Sequence, residues 1–168
     1  MDRVDSTGVL KRKTAEDLGI VGLIGRACGI PADLRKYFPG VYKEAGFKIG
    51  LQESGDVLAR LRIREFEFRE SLRLIEEFAI KLNKNEQIIS ISRLELKAGA
   101  ALGYTEGWRG PILYWLKIDN CGLIERCKIV DASFHNWQGL SYAVLGNIIP
   151  DFPVCNKSFD LSYSGNDL

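Results

Sequence analysis

The sequence predicts a mainly helical α+β fold, with one long amphipathic helix and a small antiparallel sheet. Two observations support this prediction. Apolar residues recur at helical spacing from Asp56 to Leu82, and two runs rich in β-branched and aromatic residues, 112–118 and 123–130, flank a turn-forming segment. At 168 residues, with 46% apolar and 27% charged side chains, the chain has the balance of one globular domain or a piece of one.

The first predicted helix lies near the N-terminus. Thr14–Asp17 resembles a capping box with Asp in place of the usual Glu, which predicts a helix over Ala15–Ala27. Gly19, Gly22 and Gly25 recur every three residues within it. On a helix they lie close to one face, where they either let another backbone approach or weaken the helix towards a loop.

The segments on either side of this helix carry weaker signals. Residues 1–13 are polar and are predicted to be extended. Gly and Pro residues between positions 29 and 40 predict a loop with one helical turn near Asp33–Tyr37. Residues 40–54 show no periodic pattern and are predicted to be irregular.

Asp56–Leu82 gives the strongest local signal and is predicted to be one long amphipathic helix without an internal Gly or Pro. The apolar residues of one helical face are Leu61, Phe68, Leu72, Ile75, Ala79 and Leu82. Oppositely charged pairs four residues apart are Glu65–Arg69, Arg73–Glu77 and Glu77–Lys81. We interpret these charges as a solvated face rather than a binding site.

Beyond the long helix the periodicity changes. An extended segment is indicated by Ile89, Ile91 and Leu94. The runs 112–118 and 123–130 are joined by Asp-Asn-Cys-Gly at 119–122, which favours a hairpin. Residues 136–149 are predicted to form a short helix ended by a proline, and the tail, 151–168, is aromatic and polar.

The composition excludes several classes of protein. With 23 basic and 22 acidic side chains, the net charge of +1 argues against a nucleic-acid binder. No stretch of the sequence is long and apolar enough to span a bilayer. Cys28, Cys121, Cys127 and Cys155 form no C-x-x-C pair, and His135 is the only histidine, so the spacing favours no zinc or iron–sulfur site.

Short motifs follow one another along nearly the whole chain. They are Gly8-Val9-Leu10, A-E-D-L-G at 15–19, G-R-A-C-G-I at 25–30, the helical segment 56–77, E-G-W-R-G at 106–110 and D-A-S-F-H-N at 131–136. Each motif is weak alone, but the ordered set resembles the large subunits of respiratory complex I and of membrane-bound, energy-converting nickel–iron hydrogenases. Those subunits carry similar G-T-G-V-L, D-L-G, R-A-S-G-I, E-x-P-R-G and P-S-F-x-N segments.

The resemblance also bears on domain organisation. Family large subunits are longer, so it implies that 1–168 is a single domain, the C-terminal fragment of a hydrogenase large-subunit-like fold. Their N-terminal half carries an R-x-C-G-x-C motif with two metal ligands. Arg26–Pro31 mimics that motif, but Pro31 stands where the second cysteine would be. Cys28 is therefore predicted to be a buried small hydrophobe.

The tail decides the metal chemistry that the resemblance implies. Hydrogenases of the family end in D-P-C-x-x-C, whose thiolates hold nickel and iron, whereas residues 160–165 here read D-L-S-Y-S-G. Ser162 and Gly165 replace the two cysteines, and a nickel–iron centre needs soft thiolate ligands. We therefore expect no metal site and no cofactor within this chain. Complex I also lacks these cysteines and binds quinone in the corresponding cavity.

Two charged residues match the hydrogenase site. Arg109 matches the arginine that lies over the metals, and Asp160 matches the aspartate before the first cysteine. An Arg–Asp pair lining a cavity can polarise a quinone carbonyl, because the guanidinium presents a planar set of donors. The alternative is a structural salt bridge that closes an empty metal pocket, and structural ion pairs are the more common kind.

Other polar residues are further candidates. His135 could donate to a quinone oxygen or relay a proton, although a lone histidine beside Phe134 is more often structural. Ser162 and Tyr163 are candidates for a quinone cavity, as are Tyr104, Asn156 and Lys157. Trp108 stands in place of the family proline and is expected to fill volume near Arg109.

The resemblance implies an oxidoreductase-complex subunit of hydrogenase or NADH:quinone oxidoreductase type, with NAD binding assigned to the parent complex. The chain would form a metal-free electron-acceptor cavity, with quinone as the candidate acceptor. Expected partners are an iron–sulfur small subunit and membrane-arm subunits, which would hold the chain at the cytoplasmic face of the membrane. The alternative is a structural coupling subunit with a collapsed cavity. Exposed apolar patches and self-association of the isolated chain are also expected.

Overall fold

The computed structural model describes residues 3–82 and 96–168 and confirms the α+β class. A short 3-10 helix, Ile149–Asp151, precedes α7. The other elements are α1 (Arg12–Asp17), α2 (Gly22–Ala27), α3 (Leu34–Tyr37), α4 (Gly40–Glu44), α5 (Val57–Lys81), β1 (Gly99–Glu106), β2 (Pro111–Ile118), β3 (Ile124–Val130), α6 (Ala132–Ala143), α7 (Phe152–Phe159) and α8 (Tyr163–Asp167). Among the described residues, no helix combines the length and hydropathy that crossing a membrane requires.

The prediction of one helix over 15–27 was wrong, because the chain forms α1 and α2 with a break between them. Gly19 has a φ of 66°, a left-handed conformation that interrupts a helix. Lys11 is the N-cap of α1 and makes no side-chain capping bond, so Thr14 lies inside the helix and the predicted capping box is absent. Residues 3–6 form a turn rather than an extended segment.

The loop predictions had mixed outcomes. The expected helical turn near Asp33 is α3, whose N-cap Asp33 accepts a hydrogen bond from the backbone N–H of Arg35 at 2.9 Å. The region 40–54 is not wholly irregular, since it contains α4. The predicted extended segment around Ile89 lies outside the described residues.

The long helix is confirmed as α5. Asp56 begins it by accepting a hydrogen bond from the N–H of Ala59 at 2.7 Å. The predicted pair Glu65–Arg69 forms at 2.6 Å, with both side chains more than half exposed. The other predicted pairs, Arg73–Glu77 and Glu77–Lys81, form at 2.9 and 2.8 Å.

The face that α5 buries is not the apolar face read from the sequence. The large residues of that face, here called the α5 stripe, are 45–72% exposed: Leu61, Phe68, Leu72, Ile75 and Leu82. The buried face lies roughly a third of a turn away around the axis. It consists of Val57, Ala59, Arg60, Ile63, Glu70 and Leu74.

The predicted hairpin is the β2–β3 part of a three-stranded antiparallel sheet with strand order β1-β2-β3. Asp119 fixes the connecting turn, because one carboxylate oxygen accepts the N–H groups of Cys121 and Leu123 at 2.8 and 2.9 Å. Strand β1, which the sequence did not predict, pairs with β2 from Gly99 opposite Ile118 to Glu106 opposite Pro111. It is exposed along almost its whole length.

The C-terminal region is more helical than predicted. Helix α6 begins four residues earlier than expected, because the side chain of Asp131 accepts the N–H of Ser133 at 2.7 Å. It ends at Ala143 rather than 149. The tail, predicted only as polar and aromatic, contains α7 and α8.

The apolar core lies where the N-terminal segment meets α2, α5, α6 and α7. Its residues are Leu10, Ala15, Ile20, Leu23, Ile24, Ala27, Cys28, Val57, Ala59, Ile63, Leu140, Ala143, Cys155 and Phe159. Cys28 is fully buried, as predicted, and burial raises the pKa of its thiol to about 11. The thiol is therefore protonated at neutral pH and packs as a small apolar group.

A charged side chain also lies in this core. Arg60 is wholly buried and stacks its guanidinium 4.5 Å from the centre of the Phe159 ring. It donates hydrogen bonds to the carbonyl oxygens of Gly55 and Gly8 at 2.7 and 2.9 Å and to the Ser158 hydroxyl at 2.9 Å. One side chain thereby ties the N-terminal segment and α7 to α5.

Candidate functional site

Arg109 sits in a tight turn between β1 and β2. Gly107 and Gly110 close this turn by reciprocal backbone hydrogen bonds of 2.8 and 3.2 Å. Gly110 has a φ of 141°, a backbone conformation that residues with a Cβ atom rarely adopt. The E-G-W-R-G motif therefore forms a rigid turn that presents Trp108 and Arg109 at its tip.

Gly22 lets this turn pack directly on α2. A Cβ atom at Gly22 would lie 2.1 Å from the carbonyl oxygen of Arg109 and 2.4 Å from the Cα of Gly110. Of the two interpretations of the glycine series, close backbone approach is thus correct at Gly22. A Cβ at Gly19 would meet nothing within 4 Å, so that glycine serves the helix break instead.

Arg109 and Asp160 are brought together, as the resemblance predicts. Asp160 ends α7 in a left-handed conformation with a φ of 53°. The Arg109 Nε donates to the backbone oxygen of Asp160, and its Nη2 lies 3.7 Å from the Asp160 Oδ2. About a third of the Arg109 side chain is exposed, so this ion pair is partly solvated.

Two further donors hold the Asp160 carboxylate. The Lys157 Nζ donates to Oδ1 at 2.9 Å, and the Trp108 Nε1 donates to Oδ2 at 3.4 Å. Partial burial opposes ionisation of Asp160, but these hydrogen bonds and the charges of Lys157 and Arg109 outweigh it and lower the pKa of the carboxyl. Asp160 is therefore an anion and a hydrogen-bond acceptor at neutral pH.

A cavity of about 270 Å³ adjoins Asp160. Trp137 and Tyr163 form an aromatic pair at its wall, with ring centres 5.3 Å apart and planes at 63°. The lining residues are Trp137, Pro153, Asn156, Lys157, Asp160, Leu161 and Tyr163. Of the predicted candidates, Asn156, Lys157, Asp160 and Tyr163 line this cavity together, and Arg109 reaches it through Asp160.

Ser162 has a structural role at this position. Its backbone N–H donates to the Ser133 hydroxyl at 3.0 Å, and its own Oγ accepts the N–H of Gly165 at 3.1 Å, which caps α8. A Cβ at Gly165 would lie 2.6 Å from the Asp131 Oδ1. These residues do not fit a thiolate-held nickel–iron centre, since they supply no sulfur and leave no room for a side chain at position 165.

His135 and Tyr104 lie elsewhere. The half-buried His135 ring packs edge-on against Phe134, with ring centres 5.5 Å apart. Tyr104 packs against Phe38 at 4.6 Å. Neither is among the residues that line the cavity beside Asp160.

The motifs that carry the resemblance meet in space. Asn136 accepts the N–H of Val21 at 2.9 Å and donates to its carbonyl oxygen at 3.2 Å, which joins α6 to the start of α2. Arg26, from G-R-A-C-G-I, donates to Glu106, from E-G-W-R-G, at 2.9 Å. Sequence reasoning missed this contact, although both charged residues belong to motifs it had singled out.

Comparison with known proteins agrees with this arrangement. The family model for "Respiratory-chain NADH dehydrogenase, 49 Kd subunit" matches residues 1–97, more than half of the chain. The chain belongs to this family. The 49 kDa family assignment confirms the resemblance that the ordered motifs predicted.

Several curated proteins are similar to this member of the 49 kDa family. The carbon monoxide-induced hydrogenase of Rhodospirillum rubrum is 31% identical over 95% of this chain and 44% of its own length. NADH-quinone oxidoreductase subunit 4 of Thermus thermophilus is 32% identical over 95% of this chain and 46% of its length. An F(420)H(2) dehydrogenase subunit from Methanosarcina mazei is 28% identical over 95% and 45%. The chain thus spans about half the length of these relatives.

A solved structure shares the fold. A chain in the structure of the membrane-bound sulfane sulfur reductase, described as an archaeal respiratory membrane complex, matches with a TM-score of 0.88 and 25% identity. The match covers 99% of this chain and 47% of that one. The arrangement of helices and three-stranded sheet is therefore shared with a chain of that respiratory membrane complex.

Proposed function

We propose that this chain is part of the large subunit of a complex I-like or hydrogenase-like oxidoreductase complex and forms a metal-free electron-acceptor cavity beside Asp160. A quinone is the candidate acceptor, and electrons would come from an iron–sulfur small subunit. Membership of the 49 kDa family supports the first part. The names of its relatives, which include NADH-quinone oxidoreductase subunits and a hydrogenase, support the choice of chemistry.

The observation that carries the proposal is the composition of the cavity beside Asp160. Its volume of about 270 Å³ suits a ring-sized head group rather than a large ligand. A quinone has a flat apolar ring and two carbonyl oxygens that accept hydrogen bonds. Trp137 supplies an aromatic surface for the ring, while Lys157 and the Tyr163 hydroxyl supply donors for the oxygens.

The charges around the cavity suit a reaction in which negative charge develops. Electron transfer to a quinone places that charge on its oxygens, and the Lys157 ammonium stabilises it electrostatically. Asp160 accepts from Lys157 and so orients the ammonium group. Arg109 holds the backbone of Asp160 and contributes a second positive charge. In this scheme Arg109 positions Asp160 and does not contact the quinone itself.

The test measures the affinity of a quinone analogue for the intact complex and for four variants. Lys157→Ala removes a charged donor and is expected to weaken binding about 10-fold. Tyr163→Phe, which loses only a hydroxyl, and Arg109→Ala, which frees Asp160, are expected to weaken it about 3-fold. Tyr142→Phe is the matched control, because Tyr142 is a half-exposed tyrosine on α6 outside the cavity. The proposal is wrong if Lys157→Ala, Tyr163→Phe and Arg109→Ala all bind the analogue as tightly as the control and the unsubstituted complex.

A second candidate is a structural subunit that couples an iron–sulfur subunit to membrane-arm subunits and binds no substrate. The use of Ser162 as a helix cap and the packing of Gly165 on Asp131 favour it, because both tail positions serve the fold. Normal assembly of a complex that binds no quinone analogue would support this candidate. Under both proposals the chain is held at the cytoplasmic face of the membrane by its partners. Stoichiometric nickel in the intact complex would contradict both proposals.

A further inference from the structure

A buried group of charges surrounds Arg26, away from the cavity beside Asp160. We call it the Arg26 cluster; its members are Arg26, Asp33, Arg35, Glu67 and Glu106. The side chains of Arg26, Asp33 and Glu106 are each only 1% exposed. The Arg26 Nη1 lies 3.1 Å from Asp33 and 2.9 Å from Glu106, so two buried carboxylates share one nitrogen. The Arg26 Nε donates to Glu67 at 2.7 Å.

The charges of the Arg26 cluster do not balance when every group is ionised. Within the cluster two guanidinium groups face three carboxylates, but the charge of Arg64, also on α5, acts on Glu67 from outside it. The crowding therefore falls on the two fully buried carboxylates, Asp33 and Glu106. The Arg26 Nη2 is also buried and makes no hydrogen bond with the described part of the chain. Asp33 and Glu106 thus crowd one nitrogen of Arg26 while another nitrogen has no partner among the described residues, and a proton on one of the two carboxyl groups would relieve the repulsion between them.

The partners of each carboxylate indicate where that proton binds. Asp33 accepts two hydrogen bonds from the Arg35 side chain, at 2.9 and 2.7 Å, and one from its N–H, which stabilises the anion. Glu67 is 14% exposed and keeps some contact with water. Among the described residues, the hydrogen bonds to the Glu106 carboxylate come from Arg26, at 2.9 Å, and from the N–H of Leu34, at 3.1 Å. Glu106 is the least stabilised anion of the three.

Two cavities border Glu106. One, of about 100 Å³, lies between α3, α4 and β1 and is lined by Arg35, Tyr42 and Tyr104. The other, of about 180 Å³, is lined by residues that include Val21, Tyr37 and Pro111. Glu106 is in the lining of both cavities, but its side chain is only 1% exposed, so proton exchange at its carboxyl group requires a local opening of one of them.

We propose that Glu106 is a proton-loading site, whose carboxyl group takes up and releases a proton beside the fixed charges of Arg26 and Asp33. The charged groups around it come from four other positions: Arg26 on α2, Asp33 and Arg35 at α3, and Glu67 on α5. Burial and then the negative charge of Asp33 raise the pKa of Glu106, against the opposing effect of Arg26. A raised pKa agrees with the hydrogen-bond partners, which stabilise the anion of Glu106 less than those of Asp33 and Glu67.

Such a site deepens the proposed function, on which this step rests. Conversion of a quinone to a quinol consumes two electrons and two protons, and the electrons come from the iron–sulfur partner. Glu106 lies three residues before Arg109 in the same rigid turn motif. Glu106 would supply one of the two protons and regain it from water when one of the bordering cavities opens, with no net change in the cluster, and the second proton would come from water at the acceptor cavity.

The test follows carboxyl groups directly, so it does not depend on quinone binding. The full chain, with isotope-labelled glutamate carboxyls, is titrated by NMR and pH-difference infrared spectroscopy. One glutamic acid is expected to titrate clearly above the usual range, and its signal should disappear in Glu106→Gln. In Glu67→Gln, the matched control from the same cluster, the signal should persist. If no glutamate of the unsubstituted chain titrates above the usual range, the proposal is wrong, whether or not a variant folds.

A further variant separates proton loading from a merely structural role. Asp33→Asn removes the negative neighbour and is expected to lower the titration midpoint of Glu106 by about one pH unit. An unchanged midpoint would contradict the charge argument. A Glu106 titration above the usual range together with loss of quinone binding in the Lys157 variant would support both proposals. Loss of quinone binding in that variant without a raised glutamate titration would leave the proposed function intact and overturn only the proton-loading site.

Discussion

Arg26 and Arg60 are both wholly buried, yet their guanidinium groups have opposite surroundings. Every direct acceptor of Arg60 is neutral: two carbonyl oxygens and a hydroxyl. Arg26 instead contacts three carboxylates, which belong to α5, β1 and the start of α3. The first arginine joins chain segments in the core, whereas the second gathers acidic groups whose charge depends on pH.

This difference separates structural from chemical uses of a buried charge. A guanidinium with neutral acceptors keeps the same contacts across the physiological pH range, and burial lowers the pKa of Arg60 only to about 10. A guanidinium among excess carboxylates belongs to a group that can change its protonation. Stability measured against pH should therefore distinguish the two sites.

The largest expected effect is that of Arg60→Met. Removal of the guanidinium leaves three buried acceptors unpaired, so we expect a loss of about 4 kcal/mol in the free energy of unfolding. Because Arg60 stays charged well above neutrality, the loss should be equal at about pH 5 and about pH 8. Urea unfolding measures it, with the exposed Arg62→Met as control. A loss that varies with pH would break the comparison with Arg26.

Arg26→Met is expected to cost about 3 kcal/mol at about pH 8, because three carboxylates lose their shared cation. The loss should decrease towards about pH 5. Burial and Asp33 raise the pKa of Glu106, and the variant lacks the opposing charge of Arg26, so its folded state binds more protons than the unfolded chain and gains stability as the pH falls. The same urea experiment applies at both pH values. An equal loss at both pH values would show that Arg26, like Arg60, stabilises the fold independently of pH.

Gly22→Ala tests the backbone contact between α2, the helix that carries Arg26, and the turn that carries Arg109. Gly19→Ala is its matched control, since both glycines have a φ near 60° but only Gly22 faces another backbone. We expect Gly22→Ala to cost about 2 kcal/mol more than Gly19→Ala, which isolates the steric clash from the shared backbone strain. Thermal or urea unfolding measures the difference. Equal losses would mean that the turn can move away from α2 freely.

Local signals account for the parts of the fold that the sequence predicted well. The capping aspartate at 56 and the unbroken periodicity after it define α5, and the Asp-Asn-Cys-Gly turn defines the β2–β3 hairpin. Helices α7 and α8 are short and contain proline or glycine, so their formation depends on tertiary contacts such as the packing of Gly165 on Asp131.

The apolar pattern of the sequence could not identify the buried face of α5, for a physical reason. That face contains Arg60 and Glu70, and charged residues are normally assigned to the surface. Their burial is stabilised by partners far away in the chain, such as Gly8 and Ser158 for Arg60. A pattern that counts only apolar residues therefore selects the exposed α5 stripe instead.

The candidate site shows the same division. Motif resemblance predicted the meeting of Arg109 with Asp160, because both positions belong to one family constellation. Lys157 was a candidate for the cavity, and its hydrogen bond to Asp160 spans only three residues of the chain. The pairing of Arg26 with Glu106 could not be predicted, since it depends on how separate elements pack. Long-range ion pairs leave no periodic trace in a sequence.

The smallest expected effect on stability is that of Phe68→Ser in the α5 stripe. Phe68 is 59% exposed, so we expect a change in unfolding free energy within about 0.5 kcal/mol. A contiguous apolar surface favours association, and this substitution should weaken self-association of the chain in sedimentation velocity measurements. Phe134→Ser on α6 is the matched control, at 56% exposure and outside the stripe. If both variants associate like the unsubstituted chain, the stripe is not the contact surface.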